Sequence, residues 1–215
     1  MHTDDPLKVV TYVNSLPDFG MATNIDRNYE NIGATIADSV LQANNNYKRN
    51  VGPRITRIRR EYAAVRTSQE LSALLQELPV ATYLNWKGAD RIKRFSEILS
   101  LFLTKGIHTE AELRDWLETS GAREKLLEIH GVGPKTVDYL CILVGLPTAA
   151  IDRHLRNFLI LANCVPGTYE NSKQIIHAAA DLLKVDRSEF DHSIWKLMSE
   201  RRENGKANVC SAAGG

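Results

Sequence analysis

Lys135 and Asp152 are the two side chains whose type and setting could carry covalent chemistry. Residues 126–140 read as a helix ending at Ile129, a tight Gly131-Val132-Gly133 turn, and a second helix starting at Pro134. Pro suits that first helical position because its missing N–H is not needed there. Lys135 therefore falls in the first turn of a helix, where the positive end of the dipole disfavours an ammonium ion. A nucleophilic amine must be neutral, and an ordinary lysine is less than roughly 0.1% neutral at pH 7. Attack by such an amine on the anomeric carbon of a nucleotide would expel the base and leave an imine to the sugar. That imine makes β-elimination of the 3′ phosphate feasible. The same lysine could instead contact phosphate from the surface.

The glycines of the turn suit positive φ and close backbone approach. Their amides, at a helix N-terminus, form a ready phosphate site, although a helix C-cap and linker would use the same residues. Asp152 follows the apolar Ala149-Ala150-Ile151 and opens a predicted helix, a setting that suits an N-cap. A carboxylate fixed there could stabilise positive charge developing on a deoxyribose, or assist proton transfer from an attacking amine; capping alone is the other reading.

The elements that must position these groups are helices. Apolar residues recur at three- and four-residue spacing almost throughout, with no strand-like alternation longer than four residues. Thr67 with Glu70, Thr109 with Glu112, and Asn171 with Gln174 each have capping-box spacing. The pattern predicts helices near 6–15, 28–43, 53–66, 68–77, 88–104, 110–119, 122–129, 134–145, 152–163, 172–184 and 188–201, broken at Pro17, Pro53, Pro147 and Pro166. The stretch from Asn204 to Gly215 is small and polar and is expected to fray.

Composition narrows the class. With 215 residues, 43% hydrophobic and 25% charged, the chain suits one large domain or two small ones, and no apolar run reaches the length of a membrane helix. Net charge is +1, but 48–66 holds seven bases against Glu61 alone, whereas 1–30 holds five acids against two bases. A basic helix facing a polyanion explains that asymmetry, as does a solvated helix face. Cys141, Cys164 and Cys210 lack the paired spacing of a zinc or iron–sulfur site and read as reduced thiols. The first residues carry acids where a secretory signal carries bases, so a cytoplasmic, nucleoid-associated or nuclear location is expected, not secretion.

The hairpin Gly131-Val132-Gly133-Pro134-Lys135-Thr136, followed by Ile151-Asp152-Arg153-His154, resembles the helix-hairpin-helix DNA glycosylases, the superfamily that includes endonuclease III. Lys135 and Asp152 lie 17 residues apart, close to the family spacing. Residues 36–45 resemble the family helix whose Gln fills the gap left by an extruded base, and that match falls on Gln42. Asn44, Asn45 and Asn46 follow as DNA-contact candidates or plain loop. Residues 84–92 resemble a further family segment in which Trp86 takes an aromatic position and reads as core. His154 also matches and reads as structural.

The resemblance implies an all-α, two-lobed glycosylase fold with the active cleft between the lobes. One lobe would be a helical barrel over 27–146 carrying the hairpin, and the other would combine 1–26 with 147–215. It implies a monomeric base-excision-repair enzyme that flips a damaged, oxidised base out of double-stranded DNA. Lys135 would be the Schiff-base nucleophile, Asp152 the carboxylate, and Gly131, Val132, Gly133, Thr136, Gln42 and Asn44 the DNA-binding residues. Main-chain carbonyls of Leu127, Ile129 and Val132 would suit a monovalent cation. The four-cysteine loop of endonuclease III is missing, so no iron–sulfur cluster and no other cofactor is expected. A monofunctional glycosylase for alkylated or mismatched bases, and a non-enzymatic hairpin module that grips DNA backbone, are the alternative readings.

Overall fold

The computed structural model describes residues 4–43 and 45–212, with side chains described as far as 201. Its helices are α1 (Asp5–Ser15), α2 (Ile32–Leu41), α3 (Gly52–Glu61), α4 (Ser68–Glu77), α5 (Val80–Leu84), α6 (Ala89–Lys105), α7 (Glu110–Leu117), α8 (Ala122–Leu127), α9 (Pro134–Leu143), α10 (Arg153–Leu161), α11 (Tyr169–Leu183) and α12 (Arg187–Ala212). A π-helical turn, Tyr47–Val51, leads into α3. There is no strand among the described residues. The chain divides into two compact units, Asp26–Leu146 and the combination of Met1–Ile25 with Pro147–Gly215.

In the unit Asp26–Leu146, α2 is the central element, and every one of its residues is buried. It packs against α3, α4, α6 and α9. A helix buried all round gives no face to water, and so forms the axis of a core, here with Thr35, Asp38 and Ser39 enclosed among its apolar residues. Around it lie Ile55, Leu71, Phe95, Ile98 and Leu140. Gly33 permits a close approach: the Tyr83 hydroxyl lies where a Cβ at that position would stand. The Thr67 and Thr109 capping boxes are formed, each with its Glu side chain returning to the cap backbone.

In the other unit, α1 packs on α11, and α12 packs on both α10 and α11. Val9, Phe158, Ile176, Phe190 and Ile194 form its core.

Several boundaries differ from the sequence reading. Helix α2 starts at Ile32 rather than 28, because Asn28 and Glu30 adopt left-handed φ of 54° and 50° and Asn31 caps the helix through Ala34 N at 2.9 Å. Helix α3 ends at Glu61 instead of 66, where Tyr62 turns and its carbonyl takes Val65 N–H. Helix α5, too short for a periodic signal, is closed by left-handed Asn85. Helix α11 begins three residues early: Thr168, not Asn171, is the cap, and it accepts from Asn171 N. Helix α12 continues to Ala212, through the stretch expected to fray from Asn204. Lys206, Ala207 and Ala212 there are good helix formers.

Candidate active site

The hairpin joins α8 to α9. Its turn closes with Val132 N–H donating to the Ile129 carbonyl at 3.0 Å, and Leu126, Val132, Val137 and Leu140 anchor both helices in the core. Gly131 has φ +79°, and the Arg94 guanidinium occupies the space its Cβ would need, while Arg94 Nε donates to the His130 carbonyl at 3.2 Å. The positive φ favours glycine at 131, and a larger residue would also have to displace the Arg94 guanidinium. Gly133 differs from expectation: its φ of −108° is open to any residue, and nothing lies within 4 Å of a Cβ placed there. What glycine leaves at 133 is open ground in front of the α9 N-terminus. Val132 and Thr136 are buried, at 5% and 8% exposure, so their side chains serve the core more than a DNA backbone.

Lys135 stands in the first turn of α9, half-buried. Its Nζ donates to Gln42 Oε1 at 3.2 Å. Two side chains 93 residues apart in sequence, singled out as nucleophile and gap-filling wedge, are thus in direct contact. Gln42 is the C-cap of α2, with its own N–H on the Asp38 carbonyl. The Arg91 guanidinium bonds the Ala43 carbonyl and so caps the same helix end. Asn44 lies outside the described residues. Asn45 and Asn46 are committed locally: Asn45 Nδ2 donates to the Leu41 carbonyl, and Asn46 caps the π turn through Arg49 N.

One turn below Gln42, a group the sequence reading passed over comes into view. Asp38 is fully buried, and its carboxylate accepts from Tyr29 (2.7 Å) and Tyr47 (3.0 Å) on Oδ2 and from Tyr139 (3.4 Å) on Oδ1. Burial pushes its pKa up to about 6 against the pull of the three hydroxyls. Burial also pushes the phenols of Tyr29 and Tyr47 above their ordinary range. The available signal was an acid in an otherwise buried helix, four residues before Gln42, with Tyr139 four residues after Lys135.

Asp152 belongs to the other unit. Its Oδ1 accepts from His154 N (2.7 Å) and Leu155 N (3.1 Å), so it is the N-cap of α10. The extended segment before it is held by side chains. Thr148 N–H donates to Ser188 Oγ, Ala149 N–H to His177 Nε2, Ala150 N–H to Asp191 Oδ1 and Ile151 N–H to Tyr169 OH. Four consecutive amides thereby find partners on α11 and α12 without a sheet. His154 is buried edge-on to Trp195, with ring centroids 6.5 Å apart, a structural setting.

The basic stretch is largely engaged within its own unit. Arg57 and Arg60 share Glu61, Arg59 pairs with Asp26, and Arg66 with Glu30. Trp86 is partly buried against the core, and the guanidiniums of Arg54 and Arg91 lie over its ring, 5.1 and 4.7 Å from the centroid. An open depression of about 530 Å³ lies along α3, lined by Tyr47, Lys48, Thr56, Arg57 and Arg60. Cys141 and Cys164 are buried, and the Cys210 side chain lies outside the described residues. Among the described residues no group of His, Cys, Asp or Glu is arranged to hold a metal ion, and no helix is long and apolar enough to cross a membrane.

The all-helical chain with its buried axial helix and glycine hairpin falls in one recognised family. A family model described as a domain of unknown function, DUF8548, matches residues 8–199, and the chain belongs to that family. No curated protein and no solved structure matches it.

Proposed function

We propose that this protein is a DNA glycosylase with abasic-site lyase activity, acting on a damaged, oxidised base in double-stranded DNA. The observation that carries the proposal is the contact between Lys135 Nζ and Gln42 Oε1. An amine at a helix N-terminus, beside open ground at Gly133 and held by an amide, is suited to a flipped nucleotide. The Gly131 and Gly133 amides make no backbone hydrogen bond in the turn among the described residues, which leaves them for a phosphate.

In this reading Lys135 forms a bond to C1′ as the N-glycosidic bond breaks and the base departs with a proton. Opening of the sugar ring gives the imine. Removal of a 2′ proton then expels the 3′ phosphate, and hydrolysis of the imine returns the amine. Gln42 leaves Lys135 to occupy the vacated stack, offsetting an unstacking cost of a few kcal/mol. Asp152 supplies the carboxylate that stabilises positive charge on the sugar.

The test is borohydride trapping on duplex DNA carrying one abasic site. The native protein is expected to give a covalent adduct on a denaturing gel, and Lys135→Gln to lose it by about 1,000-fold or more. Binding with no adduct from either protein overturns the lyase reading. It would leave a monofunctional glycosylase or a binding module, which assays on alkylated-base duplexes separate.

A further inference from the structure

The contact between α2 and α9 is built of two polar rungs one helical turn apart. Asp38 meets Tyr139, and Gln42 meets Lys135. Since 38 pairs with 139 and 42 with 135, the two helices run antiparallel there, and each helix contributes residues four apart on one face. In the lower rung Asp38 is buried and Tyr139 half-buried, and in the upper one both side chains are partly open. We propose that Asp38 is a positioning residue for Lys135: its carboxylate gathers the hydroxyls of Tyr29, Tyr47 and Tyr139, and so holds α2, the π turn and α9 in the register that sets Gln42 against the lysine amine.

Three observations support this. The carboxylate is fully buried among hydroxyls, and that burial opposes ionisation and gives the fold no gain that an apolar residue would not. Its partners come from three separate elements: the segment before α2, the π turn and α9. Single π turns inside helical structure concentrate at functional sites, and this one presents Tyr47 to Asp38.

The arrangement is also proton-sensitive. The groups facing Asp38 are the three phenols, with Asp26 acting at longer range, while α3, α4 and α6 contribute Ile55, Leu71 and Phe95 to the surrounding core. An ionised carboxylate offers acceptor sites to all three hydroxyls. Once protonated, it has its own hydrogen to donate, and one phenol has to give up donating to it. Tyr139, at 3.4 Å, is the most loosely held, and it stands on the lysine helix. Protonation near pH 6 therefore loosens the rung below Lys135.

This inference rests on Lys135 being the reactive amine of the proposed function, and its test reads the two separately. The first readout needs no DNA: the side-chain amide signals of Gln42 followed by NMR from pH 5 to 8 in the whole protein. The native signals are expected to shift with a midpoint near 6, and in Asp38→Asn the shift disappears. Tyr139→Phe, which removes one hydroxyl, is expected to weaken the shift. The second readout is the trapping rate on abasic DNA. It should fall below pH 6 in the native protein, and in Asp38→Asn be about tenfold lower and flat with pH. A Gln42 signal that ignores pH in the native protein, or that titrates unchanged in folded Asp38→Asn, overturns the proposal. A Gln42 response abolished by Asp38→Asn, with no trapping by any form, supports the positioning role and overturns the lyase reading. A uniform loss of trapping with the pH limb intact marks a merely structural effect and overturns the positioning role.

Discussion

Two buried carboxylates in the same unit are handled in opposite ways. Asp138 on α9 is 1% exposed and meets the Arg123 guanidinium of α8 at 2.7 Å, so the ion pair staples together the two helices of the hairpin. Asp38 on α2 is as deeply buried and is held by neutral phenols. The first is a brace, since a charge paired on burial recovers much of its lost hydration. The second stays proton-sensitive near neutrality, because hydroxyls stabilise a carboxylate without neutralising it. Carboxylates kept in that condition concentrate at sites where a protein's chemistry is set.

The largest effect should come from breaking the brace. Arg123→Leu removes the ion-pair partner of the buried Asp138 carboxylate and is expected to lower unfolding free energy by about 3 kcal/mol, read from urea midpoints.

Asp38→Asn should act in the opposite direction, by about 3 kcal/mol at pH 7.5. Because the Asp38 pKa is raised on folding from 3.8 to about 6, the native state holds that proton more tightly than the unfolded chain. The associated stability is fully present below pH 3.8 and is lost as pH rises through 6. The variant lacks this loss, so the gap in its favour should open between pH 4 and 6 and stay constant above. Equal midpoint differences at pH 4 and 7.5 would contradict the assignment.

The individual hydroxyls sharpen the contrast further. Tyr29→Phe removes the shortest bond, one made to a buried charged acceptor, and should cost about 1.5 kcal/mol while keeping the ring that Arg59 covers at 4.6 Å. Tyr139→Phe removes a long bond from a half-buried ring and should cost about 0.5 kcal/mol in thermal or urea unfolding. A stability loss from Tyr139→Phe exceeding that from Tyr29→Phe would reverse the order in which Asp38 holds its partners.

Much of the helical order was legible because its causes are local. The Thr67 and Thr109 boxes are sequence patterns that close on themselves within four residues, and both are formed. The hairpin was legible for the same reason, since Pro134 and Gly131 mark its turn by their own backbone preferences. Where local signals compete, the reading slipped. Thr168 and Asn171 both offer a cap, and the chain uses the earlier one. Asn28 and Glu30 sit inside an apolar-periodic stretch but adopt left-handed φ, because Asn28 N–H donates to the Leu143 carbonyl, a partner 115 residues away.

By itself, then, the sequence determined an all-helical chain, the hairpin, and the presence of Lys135 in the first turn of α9, because propensity, capping and 3.6-residue periodicity act over neighbouring residues. Only the tertiary structure decided that Lys135 meets Gln42, and that Tyr29, Tyr47 and Tyr139 converge on Asp38. Those partners lie 9 to 101 residues apart, and a hydrogen bond across such a separation leaves no periodic trace in the chain. Packing of α9 against the buried axis of α2, and of the π turn against α3, which itself packs on α2, brings them together.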